Sequence, residues 1–392
     1  MSVLSGFDTS CSRKVKEIER VTNHDVKAVE YFLKEHLSKS LETTCLKEYV
    51  HFCCTSEDIN NLSYSRMLQD SLSVVVFPLL DTFLSNLSSF AIETASVPLL
   101  SLTHGQSATP TTFGREMTVF VHRLRSQLLN VNKISCVGKF NGATGSFNAH
   151  LVAYPHVDWE ALASEFVRSL GLVYQPVSTQ IECHDYIAEI MDGLSRICTI
   201  LLGFSRDLWM YISRGVVKLR AVPGEVGSST MPHKVNPIDF ENAEGNLGIA
   251  IALFEHFARK LPISRLQRDL SDSTVLRNIG TGFAHMLVAL ESLMKGIGKI
   301  SVCVDTCEAE LGQNWSLLAE PVQTMLRKHN VPNGYEKLKD FTRGTNVDES
   351  AMTAFIDSLE SVLPQDDFKN LKKLTPTSYL GIAEKIARKY AQ

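Results

Sequence analysis

Long apolar runs are missing from this chain: no uninterrupted stretch in its 392 residues reaches the roughly 18 apolar positions that a membrane-spanning helix needs. Extended basic blocks are missing too. The 39 lysines and arginines are set against 43 acidic side chains, for a net charge of −4. That balance points away from nucleic acid and from anionic membrane surfaces as partners. Met1-Ser2-Val3-Leu4-Ser5 has neither the charged nor the apolar region of a signal peptide. A cytoplasmic location is therefore expected, with organelle targeting left open if a further segment precedes Met1. The nine cysteines form no CxxC pair and are scattered except for Cys53-Cys54 and Cys303/Cys307. They read as reduced thiols, and no metal site is expected. Internal repeats and low-complexity segments are likewise absent.

What is present is ordinary for a globular protein: 44% hydrophobic and 21% charged residues, in a chain long enough for more than one domain. Helical periodicity dominates. Apolar residues recur at Met67, Leu68, Leu72, Val75, Val76, Leu79, Leu80, Phe83, Leu84 and Leu87, the 3.6-residue spacing of one buried face. Pro78 sits inside that stretch and should kink or reset the helix. Further long helices are expected over about 112–134, 185–213, 240–260 and 274–297. Thr55 or Ser56 with Asp58 can cap the first of the long helices. Thr103 to Pro110 reads as a polar loop. Gly138, Gly142 and Gly145 invite a phosphate-loop reading, but no strand pattern precedes them, so a tight turn with close backbone packing is expected. After Gly296-Ile297-Gly298 the helical pieces shorten and prolines punctuate them. The expected fold is all-α: a small N-terminal helical domain over 1–45, an elongated central bundle over 46–299, and a small helical C-terminal domain over 300–392.

One loop gathers reactive groups: Gly224-Glu225-Val226-Gly227-Ser228-Ser229-Thr230-Met231-Pro232-His233-Lys234-Val235-Asn236-Pro237. It holds a hydroxyl pair, a fixed cation and an amide between segments that read as helices. The order Gly-Ser-Ser-x-Met-Pro-x-Lys-x-Asn-Pro resembles the signature loop of the fumarase/aspartase superfamily. Thr22-Asn23-His24-Asp25-Val26, Thr55-Ser56-Glu57-Asp58, Thr103-His104-Gly105-Gln106, Thr179-Gln180-Ile181-Glu182 and Arg265 to Asn278 narrow the likeness. Together they resemble the adenylosuccinate lyases, over nearly the whole chain from about residue 13. An argininosuccinate lyase, the alternative among fumarate-releasing enzymes, would share the loop but not the Asn-His-Asp-Val or Ser-Asp-Ser-Thr segments.

The resemblance implies β-elimination of fumarate from adenylosuccinate, giving AMP, and from SAICAR, giving AICAR. A base must take a carbon-bound proton beside a carboxylate, and the charge that develops needs fixed donors. The family assigns the base to Ser228 and the acid that protonates the leaving nitrogen to His104, with Lys234 and Asn236 among the stabilising groups. Asn23, His24, Asp25, His51, Thr55, Ser56 and Gln180 match its substrate positions, and Glu241 is expected to pair with His104 or His24. Arg268, Ser273, Thr274, Val275, Leu276 and Arg277 match the segment that holds the nucleotide and its phosphate. No organic cofactor is implied. The implied partner is a nucleotide, and the implied assembly is a homotetramer with shared active sites.

The chain departs from the family pattern in places. Family chains begin earlier, with an Arg-Tyr pair that contacts the nucleotide. Leu102 stands where an arginine precedes Thr-His-Gly, Ser107 where a proline follows Gln, and Cys183 where a proline precedes His-Asp-Tyr. These departures keep open the alternative of a catalytically impaired paralogue retained as a helical assembly subunit.

Overall fold

The computed structural model describes residues 6–39, 41–224, 230–344 and 347–392. Its elements are overwhelmingly helical, joined by three two-stranded pairs among the described residues. The all-α expectation holds. The long helices fall at Phe77–Glu93, Phe113–Val131, Asp185–Ser213, Ile238–Lys260 and Ile279–Ile297. The stretch read as one helix from 274 is two, Ser271–Leu276 and Ile279–Ile297, with Arg277 and Asn278 between them.

Pro78 acts as the sequence suggests. The helix Ser56–Asp70 gives way to a π-helical turn, Ser71–Val76, before α-helix resumes at Phe77. A proline cannot donate to the preceding turn, and a wider turn ahead of it absorbs the mismatch. The whole run Ser56–Glu93 is long and apolar enough to cross a membrane by length and composition alone. Its stripe Leu68, Leu72, Val76, Leu80, Phe83 and Leu87 is buried in the protein, which accounts for that apolarity.

The chain divides into two compact units. The first comprises Met1–Val76, Val131–Asp192 and Phe254–Gly280. Here the helices Thr9–Thr22 and Asp25–Leu37 meet at a corner built by Asn23 and His24. Asn23 ends one helix in the left-handed region at φ 50°, a conformation asparagine tolerates, and His24 caps the next. Thr55 caps Ser56–Asp70 in a capping box closed by Asp58. Val137–Gly138 pairs in parallel with Val173–Tyr174, so a short strand does precede the glycine-rich segment, contrary to the sequence reading.

The second unit comprises Phe77–Asn130, Gly193–Leu253 and Thr281–Gln392. Its core is aromatic. Phe204 meets Phe83 and Phe120 edge-on at 5.8 and 5.4 Å between ring centroids, and Phe113 packs with Phe90 and Tyr211. The polar loop expected at 103–110 is instead a hairpin, Pro98–Thr103 against Gln106–Thr112. Val217–Leu219 pairs with Ile300–Val302. The short helices beyond it enclose their own apolar cluster, including Leu318, Val322, Leu326, Met352, Ile356 and Leu371.

Candidate active site

A cleft of about 410 Å³ opens in the first unit. Three segments far apart in sequence line it: Asn23, His24 and Asp25 at the helix corner, Ser56 at the start of its helix, and Arg268, Ser273, Thr274 and Arg277. All eight are substrate residues implied by the sequence. Glu19, Asn60 and Leu270 line it as well and escaped that reading. The signal for Asn60 and Glu19 was helical spacing: each stands four positions from an implied residue, Ser56 and Asn23, and so shares its face.

Two guanidinium groups give the cleft its character. Arg277 donates to Ser273 Oγ and lies 3.4 Å from Asp25 Oδ2. Arg268 Nη1 sits 3.0 Å from Glu57 Oε1 and donates to Gln180 Oε1 at 3.3 Å. Gln180 Nε2 donates to the Ala143 carbonyl at 3.0 Å. Such an arrangement suits phosphate or carboxylate oxygens, which planar guanidinium groups grip in pairs. His24 Nδ1 accepts from the backbone N–H of Lys27 at 3.2 Å. A ring nitrogen that accepts carries no proton, so the neutral ring holds its proton on Nε2.

The glycine-rich segment explains itself beside this cleft. Asp58 accepts from Asn141 N at 3.1 Å and Gly142 N at 3.1 Å, besides Thr55 N at 2.9 Å. The loop's amides thus hold a carboxylate of their own chain, which leaves those donors unavailable to a phosphate. Lys139 Nζ completes the cluster 2.9 Å from Asp58, and both side chains are buried. Gly145 has φ 84°, and a Cβ there would stand 2.3 Å from the Ser178 carbonyl oxygen, so close backbone packing excludes a side chain.

The first unit holds further buried titratable groups. Burial pushes the Glu182 carboxyl up to about 7 and holds the His184 imidazole below its ordinary range. His184 has φ 61° and follows Cys183, whose thiol burial also pushes up. Asp272 is buried, and among the described residues neither carboxylate oxygen finds a hydrogen-bond partner. His51 has φ 64° and a buried Nε2 with no partner among the described residues. Thr55 acts as a cap, Val275 is half-buried, and Leu276 is a core residue; none of these three lines the cleft.

The remaining implied residues belong to the second unit, apart from Ser228, which lies outside the described residues. His104 and Gly105 form the two-residue loop of the hairpin, at φ 55° and 73°. Both positive values are those of a type I′ turn, where asparagine and glycine are usual. A histidine there sits in a sparsely populated conformation, a mark often found at functional positions. It is exposed at the hairpin tip. Leu102 and Ser107, two departures from the family pattern, face each other across the same hairpin, one residue pair below the turn. Lys234 is exposed, Asn236 is half-buried, and Glu241 Oε1 accepts from Trp209 Nε1 at 3.1 Å. Among the described residues, therefore, the indole is the partner seen for Glu241.

Comparison with known proteins gives the class first. A family model described as "Lyase" matches residues 2–251. The fold is similar to that of a fumarate lyase from Mesorhizobium, with TM-score 0.80 and 18% identity over 99% of this chain and 86% of that one. It is also similar to a 3-carboxy-cis,cis-muconate lactonizing enzyme from Pseudomonas putida, with TM-score 0.74 and 21% identity over 99% and 85%. The chain thus belongs to a lyase family and has the helical fold of these enzymes.

A second model, described as "Adenylosuccinate lyase C-terminal", matches residues 264–380. Adenylosuccinate lyase from Haemophilus influenzae is 50% identical over 99% of this chain and 84% of that protein. The one from Escherichia coli K12 is 49% identical over 97% and 83%. The one from Vibrio cholerae is 50% identical over 99% and 85%. The chain belongs to the adenylosuccinate lyase family.

Proposed function

We propose that this chain releases fumarate from adenylosuccinate to give AMP, and from SAICAR to give AICAR, in purine nucleotide biosynthesis. The observation that carries the reading is the cleft. Asn23-His24-Asp25, Ser56 and the Arg268–Arg277 segment converge on one cavity with two guanidiniums, hydroxyls and amides. That chemistry fits a substrate bearing a phosphate and carboxylates.

In this reading Ser228, driven towards alkoxide, removes the proton beside the succinyl carboxylate. The electron pair moves onto that carboxylate, and Lys234 and Asn236 stabilise the resulting charge. The C–N bond then breaks as His104 delivers a proton to the leaving nitrogen. Arg268 and Arg277 hold the nucleotide end, and Gln180 the succinyl end.

The assembly is proposed as a homotetramer with active sites shared between subunits. Trp209, Met210, Ile249 and Val288 are exposed apolar residues of the second unit, carried on three long helices, and a second copy would cover them. A cytoplasmic location goes with this reading.

A spectrophotometric assay of adenylosuccinate cleavage by the purified chain tests the function, and light scattering tests the assembly. Ser228→Ala should abolish turnover while leaving the helical circular dichroism unchanged. Turnover of that variant within about tenfold of the parent would remove Ser228 from the role of base.

A further inference from the structure

We infer that Glu57, which does not itself line the cleft, is a positioning residue that sets Arg268 and, through it, the side-chain amide of Gln180. The inference rests on the function proposed above and names the device that holds its substrate-binding groups in place.

Glu57 occupies the first turn of Ser56–Asp70 and is only 3% exposed. Successive residues of a helix point about 100° apart, so Ser56 can face the cleft while Glu57 turns inward. The Glu57 carboxylate meets two groups that do line the cleft. Arg268 Nη1 is 3.0 Å from Oε1, and Asn60 Nδ2 donates to the same oxygen at 2.9 Å. Arg268 Nη1 also reaches Gln180 Oε1, while Gln180 Nε2 is held by the Ala143 carbonyl. The amide of Gln180 is thereby fixed at both ends, its oxygen towards Arg268 and its nitrogen towards residue 143.

A buried ion pair of this kind returns little net stability, because removing both charges from water offsets their attraction. What it does supply is geometry. A guanidinium carries its five N–H donors in one rigid plane, so anchoring Nη1 from behind fixes the plane the substrate meets. The neighbouring acid has a separate task. Asp58 holds the 141–142 amides, and with them the stretch carrying Ala143. Two adjacent carboxylates thus brace the same glutamine from opposite sides.

The test is a double-mutant cycle on the full chain, with kcat and KM for adenylosuccinate and Tm read for each variant. Arg268→Ala should raise KM about tenfold or more, the worth of one charge-assisted contact. Glu57→Ala should raise KM by a similar factor with kcat changed by less than about threefold. In the Arg268→Ala background, Glu57→Ala should change KM by less than about threefold, because most of its effect passes through the missing guanidinium and only its hold on Asn60 is left. Glu57→Asp keeps the charge but withdraws the carboxylate by one methylene. It should raise KM with Tm close to the parent, and it carries the test if the alanine variant fails to fold. A parent-like KM for Glu57→Asp overturns the inference. So does a KM effect of Glu57→Ala that is equally large with and without Arg268. An unchanged KM for Arg268→Ala itself would instead strike the proposed role of the cleft.

Discussion

Replacing Lys139 with methionine isolates what the buried Asp58–Lys139 pair does. The lysine side chain is wholly inaccessible and its ammonium lies 2.9 Å from a carboxylate that is 1% exposed. Burial nevertheless holds the Lys139 ammonium below its ordinary range, despite the pull of Asp58 beside it. Desolvation therefore outweighs attraction, and the pair is a poor net stabiliser. Methionine matches the lysine stem in length and leaves no large cavity, so the substitution removes charge rather than volume. The damage comes from Asp58, whose charge stays buried without its counter-ion. Breaking such a pair from one side costs about 3–5 kcal/mol. Asp58 keeps three backbone donors, Thr55, Asn141 and Gly142, which argues for the lower end. At about 2–4 °C per kcal/mol for units of 150–250 residues, the melting temperature should fall by about 10 °C. Scanning calorimetry of both proteins at pH 7.5 measures this. A fall of less than about 2 °C would show that the three amides suffice for the carboxylate, and the argument from the orphaned charge would be wrong.

Other substitutions probe the site and its supports. His104→Ala should lower kcat by about 10²–10⁴-fold, the usual worth of a positioned general acid, with Tm unchanged because the ring is exposed; an unchanged kcat with raised KM would make His104 a binding residue. Glu182→Gln tests the buried carboxyl. Its folded value of about 7 lies above the ordinary 4.5, so the folded state prefers the protonated form. The stability this contributes is complete below pH 4.5 and is lost as pH rises through about 7. The glutamine variant should therefore match the parent in urea melts at pH 4.5 and exceed it by about 3 kcal/mol at pH 8; equal stability at both would refute the assignment. Gly145→Ala places a Cβ 2.3 Å from the Ser178 oxygen at φ 84° and must displace the chain leading to Gln180. KM should rise about tenfold with Tm lowered, and kinetics matching the parent would show that this turn does not position the glutamine.

The helices were written into the sequence because their cause is local. A 3.6-residue apolar period specifies a buried face without reference to any partner, and the stretch read as 185–213 is the helix Asp185–Ser213. Thr55 with Asp58 was equally legible, since a cap and its helix lie within one turn. The motif segments named the lyase family and most of the groups that line the cleft. Other features had no local cause to read. The hairpin at 98–112 mixes three leucines with serines, threonines and prolines in no clear alternation, so its strands exist because they pair with each other. Asp58 looked like a capping residue alone; its second role, filling the amides at 141 and 142, spans 83 and 84 positions. Glu57 looked like one more acid in a helix's first turn until folding buried it against Arg268. Spacing along the chain fixes which residues share a helix face. Which faces meet depends on packing between segments far apart in sequence, and that packing turned two adjacent acids into the supports of the cleft.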